Sequence, residues 1–261
     1  MTQLVLVRPL EFTMSKVYLI NVGANSSDSS RARSPIFEDD RFIYVPFSFK
    51  RRGVDGYFEY PKPTHPFIRN MQGRSTHCDP DWSNLTYGDQ CSNRRAAALR
   101  RVEVGDILLF WGLLWRNDGK TWKSFTGQRG WYLIGALRVS EILEEGQTAK
   151  DAKRANRKRA AKNAHLLDGV IGEGQRVFIG SKRRSKLFRR AVDLQTRQGS
   201  GLLFRTIRAA SGKHLSLHGK TPWNSSTRSC RVIWDLDLPG HRVRARVART
   251  AILHKTGYDL L

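Results

Sequence analysis

The sequence predicts an α+β fold, with a mixed or antiparallel β core carrying short helices and basic insertions. Three observations predict it. Ile107-Leu108-Leu109-Phe110-Trp111-Gly112 is a continuous apolar run of strand length, the pattern of a strand covered on both faces. Trp131-Tyr132-Leu133-Ile134-Gly135-Ala136-Leu137-Arg138-Val139 repeats that signal. Two alanine- and basic-rich stretches, 92–101 and 148–162, interrupt the β pattern with good helix formers.

Each element follows in order. Residues 16–22 read as a short strand, and the Gly, Asn and Ser-rich residues 23–30 as a loop. Ser34-Pro35-Ile36 and residues 41–46 form two extended pieces across the acidic turn Glu38-Asp39-Asp40, and residues 47–65 have no clear period. Pro80 disfavours helix at Asp79, so residues 76–82 belong to a strand end or a loop. Residues 92–101 read as a short helix, and a turn at Gly105-Asp106 feeds the central apolar run. Beyond it, residues 117–130 are a polar hairpin-like excursion, which would make residues 107–112 and 131–139 antiparallel neighbours. Residues 148–162 hold almost no large apolar side chain and read as a solvated helix. Residues 176–180 are a further strand, followed by the basic burst Lys182-Arg183-Arg184-Ser185-Lys186, and from 202 onward the pattern suggests more β structure with loops. No composition break divides the chain, so one domain over 15–261 is the simplest organisation. Met14-Ser15-Lys16 stands directly before the first strand and reads as an alternative start, which makes 1–14 an N-terminal extension.

The charge balance narrows the partners. Lys and Arg number 46 against 23 acidic residues, a formal charge of +23, and such a surface attracts polyanions. Nucleic acid is the leading partner, and charge alone does not separate DNA from RNA. The three cysteines, Cys78, Cys91 and Cys230, lack CxxC spacing and are odd in number, which argues against a disulfide framework and a structural zinc. A reducing, cytoplasmic setting fits. The apolar runs fall short of the roughly 20 residues that span a bilayer, so no membrane is expected. Arg8, Pro9 and Glu11 interrupt the apolar start and argue against a signal peptide.

The chemistry concentrates in Thr76-His77-Cys78-Asp79-Pro80-Asp81-Trp82. If that segment is extended, His77, Asp79 and Asp81 point to one face. One His and two carboxylates suit a divalent ion with open positions, or His77 acts as a general base oriented by an Asp. The alternative is a turn in which Asp79 and Asp81 cap backbone amides with His77 merely nearby. The loop at 23–30, with Asp28 and Ser29, could hold a phosphate or ribose on its amides and hydroxyls, but it is neither a Walker loop nor a GxGxxG motif and an ordinary turn is the default. His165 closes the basic helix, where a cation beside free carbonyls would be unremarkable. His214, His218, His241 and His254 show no ligand-like clustering. Arg154, Arg157, Lys158, Lys182, Arg183 and Arg184 lie in runs dense enough to neutralise several phosphates, or they form a solvated face. Trp111, Trp115 and Trp131 are candidates for stacking on a base, although their apolar surroundings favour the core, and Trp82 and Trp115 are better placed for exposure. No nucleotide-cofactor motif is present, so neither a cofactor nor a metal is assigned.

The order of the short motifs carries more than any one of them. Residues 23–30 with Ser34-Pro35-Ile36, then His77-Cys78-Asp79-Pro80-Asp81, Tyr87-Gly88-Asp89-Gln90, residues 105–112, Gly135, Asn163-Ala164-His165 and Leu238-Pro239 resemble the nucleotide modification associated domain 3 family over roughly 16–239. The resemblance implies a place in bacterial or phage systems that alter bases in nucleic acid, with DNA ahead of RNA as the partner and other modification enzymes as further candidate partners, through an activity whose reaction it does not specify. It gathers Asp28, Ser29, His77, Asp79, Asp81, Gln90 and His165 around one pocket. With it we take His77, Asp79, Asp81 and His165 as catalytic candidates, and Asp28, Ser29, Ser34, Gln90 and Trp111 as substrate-binding candidates. The chain departs from the pattern at Asn163, where a second histidine is expected, and in the basic stretch 150–162. Residues 104–110 with 131–139 are also similar to the paired strands of PUA-like modules. That similarity implies the alternative function, a noncatalytic reader of modified nucleic acid.

Overall fold

The computed structural model describes residues 15–23, 32–49, 58–69, 75–194, 197–198, 201–202, 207–208, 214–215 and 230–261. The architecture is mixed α+β, built on one eight-stranded sheet. The strands are β1 (Lys16–Asn21), β2 (Ser34–Ile36), β3 (Ser48–Phe49), β4 (Ser75–Thr76), β5 (Thr86–Gln90), β6 (Ile107–Asn117), β7 (Phe125–Glu144), β8 (Gln175–Gly180), β9 (Lys186–Asp193), β10 (Arg197–Gln198), β11 (Gly201–Leu202), β12 (Ile207–Arg208), β13 (His214–Leu215) and β14 (Arg231–Asp235), with helices α1 (Arg157–Ala160) and α2 (Pro239–Thr256). The main path runs β14-β1-β6-β7-β8-β5, with β2 also on β6 and β9 also on β7. Parallel pairing joins β6 to β1 and β2. The other pairs are antiparallel, including the expected neighbours β6 and β7.

The central apolar run becomes β6 because both of its faces are covered. Ile107, Leu109 and Trp111 enter one core cluster, with Val17, Leu133, Phe188 and α2. Leu108, Phe110 and Leu114 enter the other, with Tyr18, Ile20, Tyr87, Leu99 and Phe178. Every residue from Ile107 to Trp111 is at most 1% exposed. Burying each large apolar side chain there contributes about 1.5–3 kcal/mol. The strand β7 outlasts its expected span because it serves two partners on one side. Its middle pairs β9 and its end pairs β8, with a register shift at Val139/Glu141 on the β8 side.

Three sequence expectations are corrected here. The tail from 202 was read as β structure with loops, and β12, β13 and β14 lie there, yet 239–256 is the longest helix among the described residues. Its buried positions Ala245, Ala248, Ile252 and Thr256 keep helical spacing, but Arg242, Arg244 and Arg246 alternate with valines and mask that period. Pro239 stands in its first turn, and Gly257, at φ 63°, ends it by donating to the Leu253 carbonyl. The stretch 148–162 was read as a solvated helix, but only Arg157–Ala160 is helical within a series of turns. Ala152 and Ala160 are buried against Leu143, Val177 and Ile179. Arg159 fixes the segment by donating to the carbonyls of Asn84, Leu85 and Gly180. Of the expected helix at 92–101, Ala97–Arg101 forms a 3-10 helix. No helix among the described residues is long and apolar enough to cross a membrane.

Candidate active site

The site forms where the turn after β4 meets the edge strand β5 and the short 3-10 helix Ala164–Leu166 that precedes β8. The turn is not extended. Cys78 adopts φ 47°, so His77 and Asp79 do not simply alternate with Asp81 along one face. Asp81 and Thr86 exchange backbone hydrogen bonds, which closes the turn. Trp82 pins it from above, with its ring edge-on to Phe110 at 5.3 Å between centroids. It lies so close to Gly135 that a Cβ there would stand 2.3 Å from the indole.

His165 arrives from a segment 88 residues away, and its Nε2 lies 3.1 Å from Nε2 of His77. At that distance one ring nitrogen donates and the other accepts. Asp79 completes the group, its Oδ2 lying 3.3 Å from His165 Nε2 and 3.8 Å from His77 Nε2. The Asp79 and His165 side chains are 5% and 10% exposed, whereas His77, at 29%, is the most open of the three.

Each member is held from behind. The Gly88 amide donates to both Asp79 oxygens, at 3.1 and 3.0 Å, and the Tyr44 hydroxyl donates to the Asp79 carbonyl. Gly88 is required for space, because a Cβ there would fall 2.1 Å from Cδ2 of His165. Asn163 caps the helix that carries His165. Its Oδ1 accepts from the His165 amide, while its Nδ2 donates to the Thr86 hydroxyl. His165 Nδ1 meets Gln175 Oε1 at 3.0 Å, and Gln175 opens β8 paired to Gln90 across the sheet.

The two imidazoles are driven apart in proton affinity. Burial lowers the pKa of His77, and this outweighs the opposing charge of Asp79. Burial also disfavours the cation of His165, but the hydrogen bond to Asp79 and its charge, assisted by Gln175, raise its pKa overall.

A cavity of about 320 Å³ opens over this group. His77, Asp79, Gly88 and His165 line it together with Asn21, Val22, Gly23, Phe47, Tyr87, Asp89, Gln90 and Arg95. Arg95 spans both oxygens of Asp89 at 2.9 and 2.8 Å, and the Tyr87 hydroxyl donates to the same carboxylate. Gln90 faces the cavity while its amide donates to Ser92 and to the Glu173 carbonyl.

The structure thus brings together four of the residues singled out in the sequence, His77, Asp79, Gln90 and His165. Asp81 stands apart, as in the capping alternative. Its Oδ1 accepts the amides of Ser83 and Asn84, and its Oδ2 accepts the Asn84 side chain. Ser34 is 4% exposed and ties itself to Val45, accepting its amide and donating to its carbonyl. Trp111 is 1% exposed and packs edge-on against Trp131 in the core, leaving no ring face open to a base. Trp115 is also buried, with the Arg33 and Arg129 guanidiniums over its ring. Arg154, Arg157, Lys158, Lys182, Arg183 and Arg184 are all exposed. Asp28 and Ser29 lie outside the described residues.

Sequence reasoning missed Asp89, Arg95, Gly88 and Gln175 as parts of the site. Gly88 and Asp89 had one signal, their place in the Tyr87-Gly88-Asp89-Gln90 motif. Gln175 had none, since its role is set by the residue it faces.

Fold and site define an α+β sheet protein with two histidines and a carboxylate gathered on the floor of a cavity. The chain belongs to the nucleotide modification associated domain 3 family, whose model matches residues 16–237. No curated protein and no solved structure matches it. The family name associates the chain with nucleotide modification.

Proposed function

We propose that the protein is a nucleic-acid base-modification enzyme, acting on DNA ahead of RNA within a bacterial or phage modification system. The observation that carries this reading is the convergence of His77, Asp79 and His165 at the floor of the cavity, from segments far apart in sequence. A sheet does not need such a group for stability, and buried ionisable clusters with divergent proton affinities are features of reactive sites. The family membership supplies the nucleotide context.

The cavity volume of about 320 Å³ sits at the small end of ligand pockets, which run from about 300 to 1,000 Å³. It has room for one base or nucleoside and none for a duplex, so a base in a strand must leave its stack to enter. Arg95 and Gln90 on the wall offer polar contacts to that base, and Phe47, 42% exposed, offers a ring to stack on. The exposed basic residues hold the remaining strand through its phosphates.

The test is mass spectrometry of nucleosides from DNA and RNA of cells that express the chain with its genomic neighbours. A nucleoside gained or lost with the intact chain, and restored to the control profile by His77→Ala/Asp79→Ala, is the expected result. An unchanged profile with active neighbours overturns the enzymatic reading and directs attention to the noncatalytic reader.

A further inference from the structure

We infer that His77, Asp79 and His165 form a binding site for one divalent transition-metal ion, open toward the cavity. The role of the ion rests on the functional reading above, but its presence is measurable without it. The argument is geometric. Nε2 of His77, Nε2 of His165 and Oδ2 of Asp79 are separated by 3.1, 3.3 and 3.8 Å. A single point lies about 2.0–2.1 Å from all three atoms, which is the bond length of zinc to imidazole nitrogen and carboxylate oxygen. An ion about 2.1 Å from each atom would see its ligands at angles of about 95–130°, close to a tetrahedral face. Hydrogen bonds joining His165 to His77 and to Asp79 account for the first two separations, but they do not require His77 Nε2 to stand 3.8 Å from the carboxylate.

The surroundings fit as well. A metal-binding imidazole characteristically uses its second ring nitrogen on a carbonyl or carboxylate, which fixes the ring and aims the other nitrogen at the ion. His165 has this partner in Gln175 Oε1, and Asp79 is aimed by the Gly88 amide. Two nitrogens and one oxygen suit Zn²⁺, Fe²⁺, Co²⁺ or Mn²⁺, whereas Mg²⁺ and Ca²⁺ prefer oxygen throughout. Three protein ligands leave at least one position free, and all three residues line the cavity, so that position faces the bound base. An ion there would supply a Lewis acid beside the reacting group. Asp81, with both oxygens committed to its own turn, is not a ligand.

The experiment uses the full chain, stripped with chelator and dialysed, and titrated with Co²⁺ by calorimetry and by visible absorption. One saturable site per chain with a four- to five-coordinate Co²⁺ spectrum is expected. Affinity should fall at least about 100-fold in Asp79→Asn and His77→Gln, and about 10- to 100-fold in Gln175→Ala, which touches no ion. The wild-type titration decides the case even if a variant folds poorly. Absence of saturable binding by the wild-type chain, or binding indifferent to Asp79 and His77, overturns the inference. A nucleoside change that persists without Co²⁺ binding would remove the metal and leave the proposed function standing. Stoichiometric binding with no nucleoside change would do the reverse.

Discussion

Gly88 and His165 are in direct contact, and the missing side chain of the first makes room for the ring of the second. A Cβ on Gly88 would lie 2.1 Å from Cδ2, 2.8 Å from Cγ and 2.9 Å from Nε2 of His165. The same glycine turns its amide onto Asp79, so one residue of β5 positions two members of the site.

Gly88→Ala therefore expels His165 while leaving the Asp79 hydrogen bonds available. Overpacking of this kind costs about 1–3 kcal/mol, and a reacting group displaced by an ångström costs about 100-fold in rate. The expected outcome is a thermal midpoint lowered by several degrees, with the nucleoside change reduced at least about 100-fold. Thermal unfolding and nucleoside analysis of the same variant check it. A fully active Gly88→Ala protein would show that His165 need not stay in place.

Asp79 and Asp81 are two residues apart and should behave in opposite ways. Asp81→Ala removes three hydrogen bonds that close the turn, and each bond to a charged group is worth about 1.5–3 kcal/mol at most, so the variant loses stability. Asp79→Asn keeps an oxygen for the Gly88 amide and should fold normally, yet lose modification activity. Chemical denaturation measured beside nucleoside analysis separates the two, and equal effects of both substitutions on activity at unchanged stability would contradict the division of roles.

Lys182, Arg183 and Arg184 occupy the connection between β8 and β9, where the Tyr258 hydroxyl donates to the Arg184 carbonyl and steadies the loop. Replacing all three by alanine should weaken binding to a duplex of any sequence. It should also flatten the dependence of log affinity on log salt by about 2–3 units, if each side chain neutralises one phosphate. Fluorescence anisotropy over a salt series reads both quantities. An unchanged slope would mean that these cations face solvent alone.

The strands at 16–22, 107–112, 131–139 and 176–180 could be read from the sequence because each is a local apolar run, and a run keeps its meaning wherever the strand lies in the sheet. The pairing of β6 with β7 followed from the polar stretch between them. Helix α2 was hidden because its buried residues are mostly small, Ala245 and Ala248, and arginines interleave with its valines. His77 and Asp79 stood out as types in a close pattern. Their separation from Asp81 did not, because it depends on a left-handed backbone at Cys78 and on the Asp81–Thr86 bridge. The sequence by itself determined the strands at 16–22, 107–112, 131–139 and 176–180 and which short motif holds the reactive residue types. Only the tertiary structure decided that His165 meets His77 and Asp79, that Gln175 orients it, and that Trp111 belongs to the core. Those are contacts between residues 10 to 88 positions apart, and side-chain partnership over that range is set by sheet order and register rather than by any local pattern.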